Sequence, residues 1–214
     1  HRDHVGGVEA VIADLNVGAI LHSGQRSSSP LVEALARAAD RRNVPHVTVR
    51  AGSRIDLGDS VRLYVMAPAY IPFAAEDPNR ASLVFLLRYG EHRVLLTGDA
   101  DAYSEKFLVR RYARMASLDL VQAPHHGSST SSSPSFVEWA TKGRDSVLVA
   151  VSAGRDNTYG LPDEEVVARW KNGNGRVQIT AREGALRVAV TSSGMRIVDW
   201  RSAGNRYGIH RTRL

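Results

Sequence analysis

The chain has 214 residues, of which 43% are hydrophobic and 23% are charged, and it contains no cysteine. This apolar fraction excludes a disordered chain, and the missing cysteine excludes disulfides, thiolate metal sites and a cysteine nucleophile. Lysine and arginine number 28 against 22 acidic residues, a formal net charge of +6. The basic excess is almost entirely arginine, which indicates either attraction to a polyanion or a preference for arginine codons.

The predicted elements alternate between helices and strands, with hairpins mixed in. Helical spacing predicts helices over 8–14, 31–42, 104–115, 136–141 and 163–172. Apolar runs and alternation predict strands over 18–21, 47–49, 61–66, 82–89, 93–97, 118–122, 147–152, 177–180, 185–191 and 195–200, the last three antiparallel. This mixture excludes a simple parallel doubly wound sheet and favours sheets packed between helices. We expect one domain over 1–200, a basic tail over 201–214, and no membrane span because no apolar run approaches ~20 residues.

Three polar clusters carry the chemistry. The first, over residues 1–7 (HRDHVGG), places two imidazoles and a carboxylate within four residues, donors that suit Zn²⁺ or Mn²⁺. In the second, an apolar strand delivers Asp99 through Gly98; in the third, the side chains of His125 and His126 leave opposite sides of the backbone. Taken singly, each cluster has another interpretation: the first as a histidine-rich chain end, the second as an ordinary Gly-Asp turn, and the third as a surface loop.

Taken in order, the motifs resemble a known fold. The patterns H-x-D-H-x-G-G, T-G-D and H-H-G-S, followed by N-x-x-S-L-V at 79–84, S-x-G-x-x-N-x-Y-G at 152–160 and T-x-x-x-G at 180–184, are similar to the metallo-β-lactamase fold. The resemblance is to the hydrolase domain of ComEC-type DNA-internalisation (competence) proteins and their stand-alone relatives. It implies an α/β (α+β) fold, the αββα four-layer sandwich, lacking its amino-terminal strands because the chain begins inside the first motif.

The resemblance also implies a metal centre and its residues. Asp99 would bridge two metals, Asp3 would also orient the nucleophile, and these two carboxylates would be the catalytic residues. Zn²⁺ or Mn²⁺ would bind as two ions in the intact domain. Because one histidine of the first motif and the fold's third-motif histidine are missing, a one-metal or impaired centre is the alternative here. The implied metal ligands are His1, Asp3, His4, Asp99 and His126, with His125 as the alternative to His126.

Four further residues are candidates for substrate binding. Ser128 and Ser129 follow the histidine motif, where hydroxyls either reach a phosphate or cap the next helix; Asn157 and Tyr159 either border the site or shape a turn. The resemblance implies a phosphodiesterase or nuclease acting on single-stranded DNA during competence uptake. The alternatives are a hydrolase of a small phosphodiester, lactone or thioester, and a catalytically silent domain that binds DNA or a partner. A parent protein of the ComEC type would carry a membrane channel and place the domain outside the cytoplasm, whereas a stand-alone relative would be cytoplasmic.

Overall fold

The computed structural model describes residues 2–58, 60–70, 77–115 and 117–198; His1 and the predicted basic tail 201–214 lie outside this part of the chain. The helices are Arg2–Val5 (α1), Val8–Asp14 (α2), Pro30–Arg41 (α3), Ala102–Arg111 (α4), Pro134–Thr141 (α5), Glu164–Asn172 (α6) and Thr180–Glu183 (α7). The strands are Ile20–His22 (β1), His46–Thr48 (β2), Arg54–Asp56 (β3), Val61–Ala67 (β4), Val84–Tyr89 (β5), His92–Leu96 (β6), Leu120–Gln122 (β7), Val147–Val151 (β8), Gly175–Ile179 (β9), Arg187–Thr191 (β10) and Gly194–Val198 (β11).

A seven-stranded mixed sheet in the order β3-β4-β5-β6-β7-β8-β9 forms the centre of the fold. Strands β3 to β6 pair antiparallel, as the predicted hairpin requires, and β6 to β9 pair parallel. Two small sheets, β1-β2 and β10-β11, lie apart from it. The predicted mixed α/β class, sheets combined with helices, is confirmed.

One strand prediction is wrong in its direction. The segment predicted over 177–180 as a closing antiparallel strand is β9, which pairs parallel to β8 with Val149 opposite Val177. The reason is α6, which lies between the two strands and returns the chain to the end of the sheet where β8 began. The other two predicted closing strands, β10 and β11, form an antiparallel hairpin as expected.

Three helices cover one face of the parallel strands. Helices α4, α5 and α6 each connect consecutive parallel neighbours, and right-handed crossovers in one direction place them on the same side of the sheet. The main core agrees with this, because the fully buried Leu108, Phe136 and Trp170 from these helices cluster with the fully buried Leu95 and with other strand residues. A smaller cluster joins α2 and α3. None of the helices within the described ranges combines the length and apolar character that a bilayer crossing requires.

Aspartates cap the amino-terminal ends of the two helices that follow β6 and β8 along the chain, α4 and α6. The carboxylate of Asp101 accepts from the N–H of Ser104 over 2.9 Å, and that of Asp163 accepts from Glu165 over 2.9 Å. Such caps satisfy N–H groups that have no partner within the helix. The cap at Asp101 starts α4 at Ala102, two residues earlier than the spacing predicts and three residues after Asp99.

Candidate metal centre

Polar residues follow three neighbouring parallel strands at the same edge of the sheet. Asp99 follows β6, His126 follows β7 and Ser152 follows β8. Because the strands are parallel, their carboxyl ends meet at one edge. The one-turn helix α1 brings Asp3 and His4 to this edge, where His4 Nε2 lies 2.9 Å from Asp99 Oδ1.

Asp99 reaches the site through a turn that the neighbouring strand holds. The buried hydroxyl of Thr97 donates to the carbonyl of Gln122 over 2.9 Å, and the N–H of His125 donates to the carbonyl of Gly98 over 3.0 Å. Gly98 has a φ of 53°, a left-handed conformation that glycine adopts at little cost. These bonds join the loops that follow β6 and β7, and they leave Asp99 only 6% exposed.

The loop after β7 turns sharply through three consecutive left-handed residues. His125, His126 and Gly127 have φ values of 49°, 56° and 78°. For a residue with a side chain this conformation costs about 1–2 kcal/mol. It is held by two backbone hydrogen bonds, from Ser128 to the carbonyl of His125 over 2.9 Å and from Asp163 to the carbonyl of Gly127 over 3.0 Å. Backbone strain of this kind concentrates at functional sites.

One hydrogen bond determines the tautomer of His126. Its Nδ1 lies 2.8 Å from the carbonyl oxygen of Ser152. Because a carbonyl oxygen can only accept, Nδ1 carries the proton, and in the neutral ring Nε2 keeps a free lone pair. A histidine whose far nitrogen donates to a carbonyl in this way has the arrangement typical of a metal ligand.

Four donor atoms meet at the edge of the sheet. Nε2 of His126 lies 3.3 Å from Nε2 of His4, 3.3 Å from Oδ2 of Asp3 and 3.4 Å from Oδ1 of Asp99. His4 Nε2 lies 3.7 Å from Asp3 Oδ2. Each residue offers one ligand atom, and the four atoms all lie within 4.8 Å of one another.

These separations fit a single divalent ion. Nitrogen and carboxylate ligands bind Zn²⁺ at about 2.0–2.2 Å, so the ligand atoms of a tetrahedral site stand about 3.3–3.6 Å apart. The contacts of 2.9–3.7 Å described above bracket that value. Two carboxylates and two imidazoles are also a donor set that Zn²⁺ or Mn²⁺ can take, and a bound cation would balance the two carboxylate charges.

The structure separates the two adjacent histidines. The ring of His126 belongs to the four-atom group, whereas Nδ1 of His125 lies 3.1 Å from the hydroxyl of Thr130, which in turn lies 3.0 Å from the hydroxyl of Ser128. His125 therefore borders the site without pointing a nitrogen into the group. The remaining implied ligand, His1, lies outside the described residues.

Three of the four donor residues, Asp3, Asp99 and His126, line an open cleft of about 910 Å³. Ser128 and Ser129 line it together with Tyr159, which is 85% exposed, and with Leu161. The predicted substrate-binding residues Ser128, Ser129 and Tyr159 therefore lie beside the donors. The cleft offers hydroxyls and an aromatic ring to a ligand that reaches the metal site.

The side chain of Asn157 is engaged within its own loop. Its amide donates to the carbonyls of Gly154 over 2.7 Å and of Leu161 over 2.8 Å, and its oxygen accepts from the N–H of Leu161 over 2.8 Å. These bonds close the loop that carries Tyr159. The side chain thus shapes the cleft wall rather than lining the cleft.

Sequence reasoning missed a buried carboxylate that holds the loop after His126. Glu105 of α4 is fully buried and accepts from the N–H groups of Ser132 and of Ser133, the latter over 2.8 Å. Burial raises the pKa of this carboxyl. Ser132 is also held by α6, since its hydroxyl accepts from the indole of Trp170 over 3.0 Å. The loop that follows His126 is thereby tied to α4 through Glu105 and to α6 through Trp170.

Three other histidines lie away from the donor group. Burial lowers the pKa of His22, with smaller contributions from nearby His46 and Arg50. His92 begins β6, at the opposite end of that strand from Asp99, and its Nδ1 lies 3.7 Å from Asp119. None of the three is part of the four-atom group.

Comparison with known proteins gives relatives in bacterial competence and recombination. No family model matches the chain. It is 30% identical over 159 residues to Recombination protein 2 of Haemophilus influenzae, which covers 67% of this chain and 19% of the relative. It is 25% identical over 188 residues to ComE operon protein 3 of Bacillus subtilis, covering 86% of this chain and 23% of the relative. An uncharacterized Escherichia coli protein, YcaI, is 32% identical over 123 residues, covering 58% of this chain and 16% of the relative.

A provisionally assigned metal-dependent hydrolase from Parabacteroides distasonis is a structural neighbour, with a TM-score of 0.43, 12% identity and coverage of 79% of each chain. The matched region is about a fifth of the length of the curated relatives. Recombination protein 2, ComE operon protein 3 and the competence protein ComA of Neisseria gonorrhoeae are the relatives that the motifs predicted. The chain is a homologue of one segment of the ComEC-type competence proteins.

Proposed function

We propose that this domain is a metal-dependent phosphodiesterase that cleaves DNA, single-stranded DNA above all, in connection with competence. The observation that carries the proposal is the convergence of Asp3, His4, Asp99 and His126 in a group whose Asp3, Asp99 and His126 line an open cleft. The competence relatives and the net charge of +6 support a polyanionic substrate.

The four residues differ in solvent exposure, and their proposed roles in metal binding and proton transfer differ accordingly. Asp99, His4 and His126 would hold the ion, which when bound supplies Lewis-acid activation of water and of the phosphoryl group. Asp99 is only 6% exposed, so its carboxylate is a fixed ligand. The side chain of Asp3 is 56% exposed and faces the cleft, so its carboxylate can both complete the site and accept a proton from the attacking water.

The cleft wall beside the donors would hold the substrate. Ser128 and Ser129 lie where their hydroxyls can donate to phosphate oxygens. Tyr159, at 85% exposure, offers a ring on which a base or sugar can pack. These contacts orient the phosphodiester toward Asp3 without adding charge of their own.

Hydrolysis by the full chain tests the proposal. Bis(p-nitrophenyl) phosphate and a fluorescent single-stranded oligonucleotide are incubated with Mn²⁺ or Zn²⁺, and Asp99→Asn is compared with the control Asp56→Asn on β3. We expect Asp99→Asn to lower both rates about 100-fold or more, because a ligand is lost, and the control to retain them. Full activity in Asp99→Asn would refute the proposal.

The same assays separate the alternatives. Hydrolysis of the small diester that is insensitive to salt, with no cleavage of DNA, indicates a small substrate. DNA binding with neither hydrolysis nor bound metal indicates a binding domain.

A further inference from the structure

The exposed face of α4 is basic and aromatic. Tyr103, Lys106, Phe107, Arg110 and Arg111 follow the i, i+3, i+4 spacing of one helix face, and they line a shallow cavity of about 470 Å³. Arg114 continues the series just after the helix ends. We call these six residues, Tyr103, Lys106, Phe107, Arg110, Arg111 and Arg114, the α4 face.

Charge on this face is segregated, unlike that on α3. Between 102 and 115 the only acidic residue is Glu105, which is fully buried. Within the described ranges, none of the four cations of the α4 face has an acidic partner within ion-pair distance. On α3, in contrast, Arg37 lies 3.6 Å from Glu33 and Arg41 lies 3.8 Å from Glu9 of α2. An array of cations without counter-charges attracts an external polyanion.

The α4 face also presents an exposed aromatic ring, that of Tyr103. Tyr103 is 64% exposed, and the guanidinium of Arg80 lies 5.2 Å from its ring centroid. Arg80 is itself held by Asp101, 3.7 Å away, so the ring is supported from one side. An exposed ring among cations is the arrangement that binds unpaired bases, because every base can stack whereas only single strands present their faces.

The position of the face links it to the metal centre. Tyr103 follows Asp99 by four residues, and the N–H of Ala102 donates over 3.2 Å to the carbonyl of Thr130, the residue after Ser129 of the cleft wall. From Tyr103 to Arg111 the helix extends about 12 Å away from that wall.

We propose that the α4 face binds a single-stranded nucleic acid and guides it to the cleft. This inference rests on the proposed function for the purpose of the binding, but the binding itself requires no metal and no cleavage. The strand's phosphates would lie against Lys106, Arg110, Arg111 and Arg114, and one base would stack on Tyr103.

Binding without metal tests the face. A fluorescein-labelled 20-nucleotide oligo-dT is titrated with the full chain in EDTA at several salt concentrations, and anisotropy is measured. We expect the triple variant Lys106→Gln/Arg110→Gln/Arg111→Gln to bind at least 10-fold more weakly. Its salt slope should fall by about 2, since each single-strand phosphate contact contributes about 0.7. The control Arg176→Gln/Arg187→Gln/Arg196→Gln, which removes the same charge from β9 and the β10-β11 hairpin, should change affinity less than 3-fold.

Tyr103 distinguishes single strands from other anions. Tyr103→Ala should weaken oligo-dT binding about 5-fold or more, the effect of losing one stacked base, and Tyr103→Phe should restore it. Duplex DNA of the same length and phosphatidylserine vesicles are compared. Equal losses in the triple variant and its control, no effect of Tyr103→Ala, or tighter binding of duplex or vesicles than of oligo-dT would overturn the proposal.

Hydrolysis of bis(p-nitrophenyl) phosphate separates this inference from the proposed function. If the wild type binds oligo-dT through the α4 face but hydrolyses neither substrate, the proposed function is wrong and the inference that the α4 face binds single strands is supported. If the wild type hydrolyses its substrates while the triple variant binds oligo-dT as tightly as the wild type does, only the inference about the α4 face is wrong.

Discussion

Replacing Gly127 by alanine should damage both the stability of the fold and the metal centre. A Cβ at this position would lie 2.7 Å from Cβ of Pro162 and 3.4 Å from Cγ1 of Val151, and the backbone φ is 78°. The left-handed conformation costs alanine about 1–2 kcal/mol, and overpacking typically costs about 1–3 kcal/mol more. Because the ring of Pro162 is rigid, relief must come from the turn that carries His126. We therefore expect a loss of about 2–5 kcal/mol in the free energy of unfolding, with weaker metal binding.

Gly160→Ala is the matched control in the wall of the same cleft. Gly160 has a φ of 67°, but no atom lies within 4 Å of an added Cβ. Only the backbone cost applies, about 1–2 kcal/mol. Urea unfolding followed by tryptophan fluorescence measures both losses, since Trp139 and Trp170 are buried, and Zn²⁺ titration measures the effect on the site. Equal losses in the two variants, or unchanged metal affinity in Gly127→Ala, would refute the reasoning from the close approach to Pro162.

Three further variants test the surroundings of the site. Burial raises the pKa of Glu105 above 4.5 in the folded chain. Between 4.5 and that raised pKa the folded state keeps a proton that the unfolded state has lost, so stability falls as pH rises. Glu105→Gln should remove this component, and a difference in unfolding free energy between the two proteins that does not vary with pH would contradict it. Asn157→Ala removes three hydrogen bonds within its loop, so amide hydrogen exchange at Leu161 should accelerate while metal affinity stays within 3-fold, and unchanged exchange would count against a loop-holding role. Asp163→Ala removes the cap of α6 and should cost about 1 kcal/mol in urea unfolding, more than Ser29→Ala at the start of α3, where no side-chain cap bond exists; equal costs would show that the cap is not stabilising.

The placement of the candidate donors at strand ends could be predicted from local sequence. An apolar strand followed by Gly98 and Asp99 reads as a strand that ends in a turn, and the structure has β6 end at Leu96. The same holds for β7 and the histidine pair. Parallel pairing then brings these ends together, and that pairing follows from the helices between the strands.

Features that depend on distant contacts could not be predicted locally. Helix α1 is a single turn of four residues, too short for a periodic signal, and β3 is a three-residue strand at the edge of the sheet, next to β4. The orientation of the His126 ring depends on a carbonyl 26 residues away. Glu105 looks like an ordinary solvated helix residue, although its spacing from Leu108 on the buried face was a signal that could have found it.

X-ray absorption at the zinc edge tests the central claim most directly. The chain is loaded with one equivalent of Zn²⁺, and the ligand shell is compared with those of His126→Ala and His125→Ala. We predict nitrogen and oxygen ligands at about 2.0–2.2 Å, with two imidazoles from His4 and His126 in the wild type and in His125→Ala, and one imidazole in His126→Ala. Failure to retain Zn²⁺, or an imidazole count that His126→Ala leaves unchanged, would contradict the metal centre described here.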